Sequence, residues 1–346
     1  MKRIGNLWEQ IISVENLELA DKKARKGKTS SYGVRQYDKH RKENILALHE
    51  ALKNKTFTTS PYTTFIVYEP KERLIYRLPY YPDRIVHHAV MNVLESIFFR
   101  TFTHNTYSCI KGRGINGCMR QVDRIIRKYQ GRRLYCLKID IRKFYPSIDH
   151  EIMKQIVRKK IKDKDLLWLL DNIIDSAPGL PIGNYLSQYL ANLYFAYFMH
   201  YMNEQYRTKG GQRIDVVEYA DDICFFSDDK EALHECFAFI RKYIEEKLNL
   251  TVKDNWQIFP IAKNKQDKHG RALDYVGFQF FLGGQKLIRK SIKKRFCRAC
   301  AKLNRHPPSE AEYKQKVAGW LGWAKYSNSR NLLKTIINKD YYESIL

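Results

Sequence analysis

Two adjacent carboxylates, Asp221 and Asp222, follow Tyr219-Ala220 and lie between two apolar runs that are typical of β-strands. Adjacent acids in a tight turn between strands repel each other unless a cation lies between them. A solvated surface turn is the common interpretation of such a dipeptide taken alone. Because apolar strands flank this pair on both sides, we interpret it as a metal site.

Asp140 is the predicted partner of that pair. It ends the hydrophobic run from Leu134 to Ile139, which predicts a strand, and it precedes Asp221 by 81 residues. One acid at a strand end and two in a neighbouring hairpin suit two-metal nucleotidyl transfer. Mg²⁺ is the expected metal, as two ions, because it prefers oxygen ligands and leaves positions open for phosphates; Mn²⁺ is a plausible substitute. A strand-end cap is the alternative role for Asp140.

Both helices and strands must contribute to the positions of these acids. The hydrophobic periodicity predicts helices and strands in alternating groups, with no internal repeat. Predicted helices occupy much of residues 1–59, the segment from a capping Asp83 to about 102, segments beginning near 149 and 184, and residues 230–248 and 286–346. Predicted strands occupy 63–68, 73–77, 134–139, both sides of the acidic pair, and 275–281.

The charge balance favours a polyanionic partner. The 346 residues include 62 Lys and Arg against 37 Asp and Glu, a formal net charge of +25. Basic residues concentrate in 111–133 and 286–346, where they would contact phosphates without selecting a sequence. No run approaches the roughly 18 apolar residues of a membrane span, and no signal-peptide core follows the start. We therefore expect a nucleic-acid partner, no membrane, and a cytoplasmic location, which the odd number of cysteines (seven) also favours.

Several motifs together resemble the reverse transcriptases of bacterial retroelements, over roughly residues 60–340. The motifs, in chain order, are Asp83–Val86, Lys138–Asp140 with Phe144-Tyr145, Gly179–Gln188, Tyr219–Asp222, Tyr275–Phe278 and Trp320–Tyr326. The resemblance implies an α+β right-hand polymerase, with fingers, a palm containing an antiparallel sheet, and an α-helical thumb. Its expected divisions are a basic helical N-terminal extension at 1–59, fingers and palm at 60–282, and a basic thumb at 283–346. Asp140, Asp221 and Asp222 would be catalytic, and these three with Ile141 would bind metal.

The resemblance also implies how the nucleotide is bound. Tyr145 lies five residues after Asp140, where the family places a bulky ring that excludes the 2′-hydroxyl of ribonucleotides. Lys71 and Arg73, in the predicted fingers hairpin, could clamp the triphosphate, with Arg73 offering a bidentate fork. Core packing for Tyr145 and a solvated basic turn for the two cations are the alternatives.

Two further sites are predicted, one from a motif of the family and one from a single lysine. Val276, Gly277 and Phe278 resemble the primer-grip strand. Lys253 could protonate the leaving pyrophosphate as a general acid, although a surface lysine is the more common interpretation.

The motif at 179–188 indicates a subfamily. Ile182 takes the position of a glutamine that most reverse transcriptases carry, and Ser187-Gln188 closes the motif where Ser-Pro is usual. This pattern is similar to the enzymes of diversity-generating retroelements, which copy a template-repeat RNA with errors at adenines during mutagenic retrohoming. Ile182 cannot donate the hydrogen bond that glutamine provides near the base pair, and one such bond contributes about 1 kcal/mol. Ile182 and Gly183 would contact the nucleotide. Together with Asn184, Ser187 and Gln188 they form the template and fidelity motif. The alternative for Ile182 is a buried aliphatic side chain with no role in fidelity.

The expected partners are a structured template RNA, the primer or cDNA strand, deoxynucleoside triphosphates, and a basic, oligomeric accessory variability protein. We expect no ribonuclease H, integrase or endonuclease module in the chain. Two other functions stay open. One is a retron- or group II intron-type reverse transcriptase with no mutagenic role, which Ile182 and Ser187-Gln188 disfavour. The other is a non-catalytic RNA-binding module on a polymerase fold, which the three acids and Tyr145 disfavour.

Overall fold

A four-stranded antiparallel sheet is the centre of the computed structural model, which describes residues 3–68 and 72–345. The strands are β1 (Thr63–Tyr68), β2 (Glu72–Arg77), β3 (Tyr135–Asp140), β4 (Asp215–Tyr219), β5 (Asp222–Ser227), β6 (Gln257–Pro260), β7 (Leu273–Tyr275), β8 (Phe278–Phe280) and β9 (Lys286–Ile288). The central sheet has the order β4-β5-β3-β6. Strands β1 and β2 form a separate hairpin, and β7, β8 and β9 form a three-stranded antiparallel sheet.

Helices surround the sheets. They are α1 (Trp8–Ile12), α2 (Val14–Ala24), α3 (Tyr32–Asp38), α4 (Arg41–Lys53), α5 (Ile85–Thr101), α6 (Gly114–Lys128), α7 (His150–Arg158), α8 (Lys164–Ile174), α9 (Tyr185–His200), α10 (Lys230–Leu248), α11 (Lys290–Arg305), α12 (Glu310–Lys325), α13 (Arg330–Ile336) and α14 (Tyr342–Ile345). Short 3-10 helices span Tyr145–Ser147 and Lys339–Tyr341, and π turns span Tyr80–Arg84 and Tyr201–Gln205. Mixed helices and antiparallel sheets confirm the coarse α+β class.

The two faces of the central sheet contribute to different hydrophobic cores. Alternate residues of a strand point to opposite faces, so Ile139 and Ile223 pack with α5, α9 and α10. Cys136 and Cys224 point to the other face and pack with α6 and the β7–β9 sheet. Side chains from α1, α2 and α4 join the first of these cores, so the N-terminal helices share their packing with the rest of the chain. A third core lies among α11, α12 and α13.

The described residues contain no helix that is both long and apolar enough to cross a membrane. Helix α9 is the most buried of the helices beside the sheet, but polar side chains such as Asn192 interrupt its apolar sequence.

Three expected elements differ from the structure. The predicted single strand 275–281 is a hairpin, because Val276 and Gly277 both have positive φ (41° and 87°) and reverse the chain between β7 and β8. The region 286–346, predicted as helical, begins with β9, which completes that small sheet. Asp83 does not cap a helix: it lies in the π turn before α5 and accepts a hydrogen bond from the Ser60 backbone amide (3.0 Å).

Candidate active site

The three predicted acids lie at one end of the central sheet. Asp140, the last residue of β3, is directly opposite Asp222, the first residue of β5. Residues that face each other across an antiparallel pair project to the same side, about 5 Å apart at Cβ. Asp221 lies in the two-residue turn with Ala220, between the paired residues Tyr219 and Asp222. The end of β3 and the β4–β5 hairpin therefore bring these carboxyl groups together, as the sequence predicts.

The acidic turn has an unusual backbone that the surrounding structure holds in place. Ala220 has φ of 56°, in the left-handed region that non-glycine residues rarely occupy. The Asp221 carbonyl accepts a hydrogen bond from the Ile141 amide (3.3 Å), and the Asp222 carbonyl accepts one from the Tyr275 hydroxyl (2.8 Å). Hydrogen bonds that two neighbouring segments donate to its carbonyl groups thus fix the turn that carries Asp221.

A lysine approaches each of the two strand-borne acids. The Lys253 Nζ lies 2.6 Å from Asp140 Oδ2, and the Lys138 Nζ lies 3.2 Å from Asp222 Oδ2. Lys253 is also anchored through its backbone amide, which donates to the Asp140 carbonyl (2.9 Å). Lys138 donates a second hydrogen bond, to the Asp274 carbonyl (2.8 Å), and so links β3 to β7. These ammonium groups offset part of the negative charge of the site.

Burial and the remaining repulsion raise the pKa of both acids of the turn. Burial, followed by the neighbouring Asp140 carboxyl, raises the pKa of Asp221. Burial raises the pKa of Asp222 as well; Lys138 opposes this rise, and the charges of Asp140 and Asp221 add to it. In both cases the protein environment disfavours a second and third negative charge at the same place.

The donor chemistry of the site fits a divalent metal. Asp140 Oδ1 and Asp222 Oδ1 are buried and have no hydrogen-bond partner. Unpartnered buried carboxylate oxygens are costly, and a hard cation such as Mg²⁺ would satisfy them. Over residues 3–68 and 72–345, no three His, Cys, Asp or Glu side chains lie in an arrangement that could hold a metal ion without moving. Instead, Asp140 pairs with Lys253 and Asp222 pairs with Lys138. The role of Ile141, which follows Asp140 and bridges to Val252, stays a prediction.

Tyr145 lies near Asp221. It begins a 3-10 helix, and its ring packs edge-on against Phe144 at a centroid distance of 5.6 Å. Burial raises the pKa of the Tyr145 hydroxyl, Cys109 and Asp221 add to the rise, and the Arg73 guanidinium opposes it. Asp221 and Arg73 are therefore each close enough to influence the Tyr145 hydroxyl. Arg73 itself is exposed in β2, and Lys71 lies outside the described residues.

The segment from Gly179 to Gly183 is fitted between Tyr145 and the β1–β2 hairpin. The Leu180 amide donates to the Tyr145 carbonyl (2.8 Å), and the Tyr76 amide of β2 donates to the Ile182 carbonyl (2.8 Å). Gly183 has φ of 120°, and a Cβ there would lie 2.5 Å from the Tyr76 carbonyl oxygen, so this approach requires glycine. The predicted nucleotide residues Ile182 and Gly183 are thus hydrogen-bonded and packed to the strand that carries Arg73.

The rest of that motif begins α9. Asn184 is buried at the N-cap position, and its Nδ2 donates to the Tyr62 hydroxyl (2.8 Å). Ser187 is buried one turn later, whereas Gln188 is exposed. The motif therefore divides into a buried part, which positions α9, and an exposed part available to a ligand.

The predicted primer-grip residues form the turn and first residue of the β7–β8 hairpin. Phe278 is buried, and its ring packs on Trp323 of α12 at 5.1 Å. A Cβ on Gly277 would overlap the ring of Trp323. The Gly277 carbonyl also accepts from the Arg289 amide (2.9 Å). This hairpin is thus packed directly against the C-terminal helices.

Three residues near the acids were not predicted from the sequence. Lys138 was detectable, since a residue two positions before Asp140 on a strand lies on the same face. Tyr275, whose hydroxyl holds the acidic hairpin, carried no comparable signal. Glu218 is fully buried: the Thr106 hydroxyl donates to its Oε2 (2.7 Å), its Oε1 has no partner, and burial raises its pKa to about 8.

Comparison with known proteins identifies a single family. Residues 69–280 match the family model described as reverse transcriptase (RNA-dependent DNA polymerase). The retron Ec73 reverse transcriptase of Escherichia coli is 23% identical over 282 residues, which cover 78% of this chain and 84% of that protein. The group II intron-encoded protein LtrA of Lactococcus lactis subsp. cremoris is 25% identical over 165 residues, or 44% of this chain.

Other similar proteins come from eukaryotes. Nuclear intron maturase 4, mitochondrial, of Arabidopsis thaliana is 25% identical over 44% of this chain. The matched segments span only 20% of that maturase and 27% of LtrA. Among solved structures, telomerase from Candida albicans in complex with a fragment of telomeric RNA has a TM-score of 0.48 and 11% identity, covering 82% of this chain and 58% of that one.

Proposed function

The chain belongs to the reverse transcriptase (RNA-dependent DNA polymerase) family, and from that premise we propose that it copies an RNA template into DNA by two-metal nucleotidyl transfer. One observation carries the proposal. Asp140 and Asp222 face each other across β3 and β5 beside Asp221, with one buried, unpartnered oxygen on each of the two strand-borne acids. This donor set suits divalent cations rather than a hydrogen-bonded structural role.

The residues of the site have distinct roles in the proposed reaction. A pair of Mg²⁺ ions would supply charge stabilisation for the attacking and leaving oxygens. Asp140, Asp221 and Asp222, with Ile141 beside them, would hold those ions, and Tyr145 would exclude a 2′-hydroxyl. Bond formation joins the primer 3′-oxygen to the α-phosphorus while the bond to pyrophosphate breaks.

Cations of the chain would act on the triphosphate. Arg73, and by sequence Lys71, would bind its oxygens before transfer. The Lys253 ammonium, held 2.6 Å from Asp140 Oδ2, could donate a proton to the departing pyrophosphate and recover one from solvent. Val276, Gly277 and Phe278 would hold the primer end beside the acids.

Removal of the paired acids tests the proposal. We predict that replacing Asp221 and Asp222 together with Ala abolishes Mg²⁺-dependent primer extension on RNA, a loss of about 10³-fold or more, because electrostatic stabilisation in catalysis is of that order per group. The assay follows a labelled DNA primer on a defined RNA. Wild-type protein that binds this duplex but never extends it would instead indicate a non-catalytic RNA-binding module.

We further propose that the chain divides as a right hand, with fingers and palm at 60–282, a thumb at 283–346 and an N-terminal extension at 1–59. The separate core of α11, α12 and α13 supports a C-terminal division, although β9 places residues 286–288 in one sheet with β7 and β8. The basic face of 286–346 would contact the duplex or a basic accessory variability protein bound with the template RNA.

The finer assignment concerns fidelity. We propose a diversity-generating role, with errors at template adenines, because Ile182 presents only an aliphatic side chain beside the predicted nucleotide site. Ile182→Gln is expected to reduce misincorporation at adenines severalfold, since a restored hydrogen bond contributes about 1 kcal/mol to orientation. Sequencing of cDNA products measures this, with misincorporation at template cytosines as the internal reference.

A second candidate is a retron- or group II intron-type enzyme without a mutagenic role. The extent of the match to retron Ec73 reverse transcriptase, 78% of this chain and 84% of that protein, favours it. Faithful copying at template adenines by the wild-type chain, unchanged in Ile182→Gln, would support this candidate and reject the mutagenic one.

A further inference from the structure

A basic cavity of about 290 Å³ lies away from the acids, between the N-terminal helices and the start of α9. Its walls come from the end of α2 and the loop after it, from Arg84 and the first turn of α5, and from residues 183–188. The site described above uses Ile182 and Gly183 but none of the cations in this cavity. Gly183, Asn184 and Gln188 of the template and fidelity motif also line the cavity, whereas its cations have no role in the mechanism proposed so far.

The cavity collects positive charge without compensation. Lys23, Lys26, Lys28 and Arg84 line it, and none of the described residues in its wall is acidic. Over the described ranges, none of these four cations forms a salt bridge, although Lys23 donates to the Asn92 side chain (2.6 Å). Burial lowers the pKa of Lys28, and the Arg84 and Arg77 guanidinium groups lower it further. Several cations along one cavity attract anions to it.

The inner end of the cavity is neutral and polar. His87 lines it, is 2% exposed, and has an Nε2 atom with no hydrogen-bond partner. Beside it, His88 stacks on the exposed Tyr185 ring at a centroid distance of 4.1 Å. Burial and the nearby Arg84, Lys23 and Lys28 lower the pKa of His88 to about 4, so its ring is uncharged at neutral pH. A ligand with a charged end and a hydrogen-bonding body would use both parts.

We propose that this cavity binds the phosphate group of a nucleotide, with the rim cations on the phosphate oxygens and the uncharged His88 ring on a polar atom of the sugar or base. Guanidinium and ammonium groups are the usual partners of phosphate oxygens. Two sources share this chemistry: an unpaired nucleotide of the RNA strand beyond the duplex, and a free nucleoside phosphate. Only the choice of template RNA as a probe rests on the proposed function.

A charge-reversal pair tests the site. Lys26→Glu with Lys28→Glu changes two exposed rim residues, so folding should be retained, and an unchanged Tm checks this. The matched control is Lys39→Glu with Lys42→Glu, two exposed lysines of the same region that do not line the cavity. Both variants lower the net charge equally, so a general electrostatic effect on RNA binding appears in both.

Fluorescence anisotropy without nucleotides measures affinity for an RNA–DNA duplex that is either blunt or carries a short unpaired 5′ RNA overhang. If the phosphate comes from the strand, the cavity variant loses about tenfold or more in affinity for the overhang duplex beyond its loss on the blunt one. The control variant loses equally on both duplexes.

Thermal shift with adenosine monophosphate or inorganic phosphate forms the second arm. A phosphate-dependent rise in Tm that the cavity variant loses, with no overhang effect, assigns the site to a free nucleotide. Equal behaviour of the cavity and control variants in both arms overturns the site. Neither arm requires polymerisation, so a failure here leaves the proposed catalytic role untouched, and the reverse also holds.

Discussion

Two hairpins of this protein place a non-glycine residue in the left-handed region, for different reasons. In the β4–β5 turn, Ala220 has φ of 56° and precedes the acid Asp221. In the β7–β8 turn, Val276 has φ of 41°, which is exceptional for a β-branched residue, and precedes Gly277. Polar contacts hold the first turn, whereas the second is packed against Trp323. Such strain persists only where the surroundings determine the backbone.

The two hairpins therefore differ in the interactions that determine their conformation. In the β4–β5 turn the acids are held where burial, and then the neighbouring carboxyl groups, disfavour their charged forms, as the raised pKa values of Asp221 and Asp222 indicate. The β7–β8 turn is apolar and packs against Trp323 of α12. The Tyr275 hydroxyl, bonded to the Asp222 and Val217 carbonyls (2.8 and 3.2 Å), joins the two. Each hairpin is therefore open to a separate test.

The largest effect on stability is expected at the packed turn. Gly277→Ala would place a methyl group inside the Trp323 ring and a side chain at φ of 87°, so we expect the free energy of unfolding to fall by about 3 kcal/mol. Urea denaturation followed by tryptophan fluorescence measures this.

Gly284→Ala is the control for that substitution. Gly284 has a similar φ of 82° but open space where a Cβ would lie, so only the backbone cost of about 1 kcal/mol remains. Equal losses in the two variants would show that packing against α12 does not fix the β7–β8 turn.

A smaller, pH-dependent effect is expected at the acidic turn. The pKa of Asp222 is raised in the folded protein, so its contribution to stability is present at low pH and is lost as pH rises past its ordinary value near 3.9. Asp222→Asn removes that loss. The Tm of the variant, relative to the Tm of the wild type, should therefore rise as pH increases from about 4 to 8. Differential scanning calorimetry across this range provides the curves.

Asp163→Asn should show the opposite slope. Asp163 caps α8, and although burial alone would raise its pKa, hydrogen bonds from the Leu7, Leu166 and Trp8 amides lower it overall. Its contribution to stability is present at neutral pH and lost at low pH. The asparagine variant should therefore have a lower Tm than wild type mainly at neutral pH. Parallel slopes for the two variants would contradict the charge-based account of the β4–β5 turn.

Local signals predicted the acidic site well. Asp140 at the end of an apolar run and Asp221-Asp222 between two such runs were sufficient to expect a shared edge, and the β3–β5 register places Asp140 opposite Asp222. The same reasoning could have included Lys138. It could not include Tyr275, because the contact with Asp222 depends on how a separate small sheet packs on the central one.

Other features depend on tertiary packing and left no clear trace in the sequence. Val276 favours strand by propensity, yet it forms a turn because Trp323 and Arg289 fix the neighbouring Gly277. Helix α8 was not predicted although Asp163 caps it. Strand β6 was not predicted, since its four residues acquire their conformation by pairing with β3.

The central claim is that the three acids form a polymerase centre rather than a charged structural feature. The most direct measurement is the single-turnover rate of Asp140→Asn on an RNA–DNA primer–template, with duplex affinity measured on the same preparation. The account predicts a rate lower by about 10³-fold or more at nearly unchanged affinity, because asparagine keeps the size of the side chain but lacks the charge that would hold the metal and that pairs with Lys253. A rate within tenfold of wild type, at full occupancy of the duplex, would contradict it.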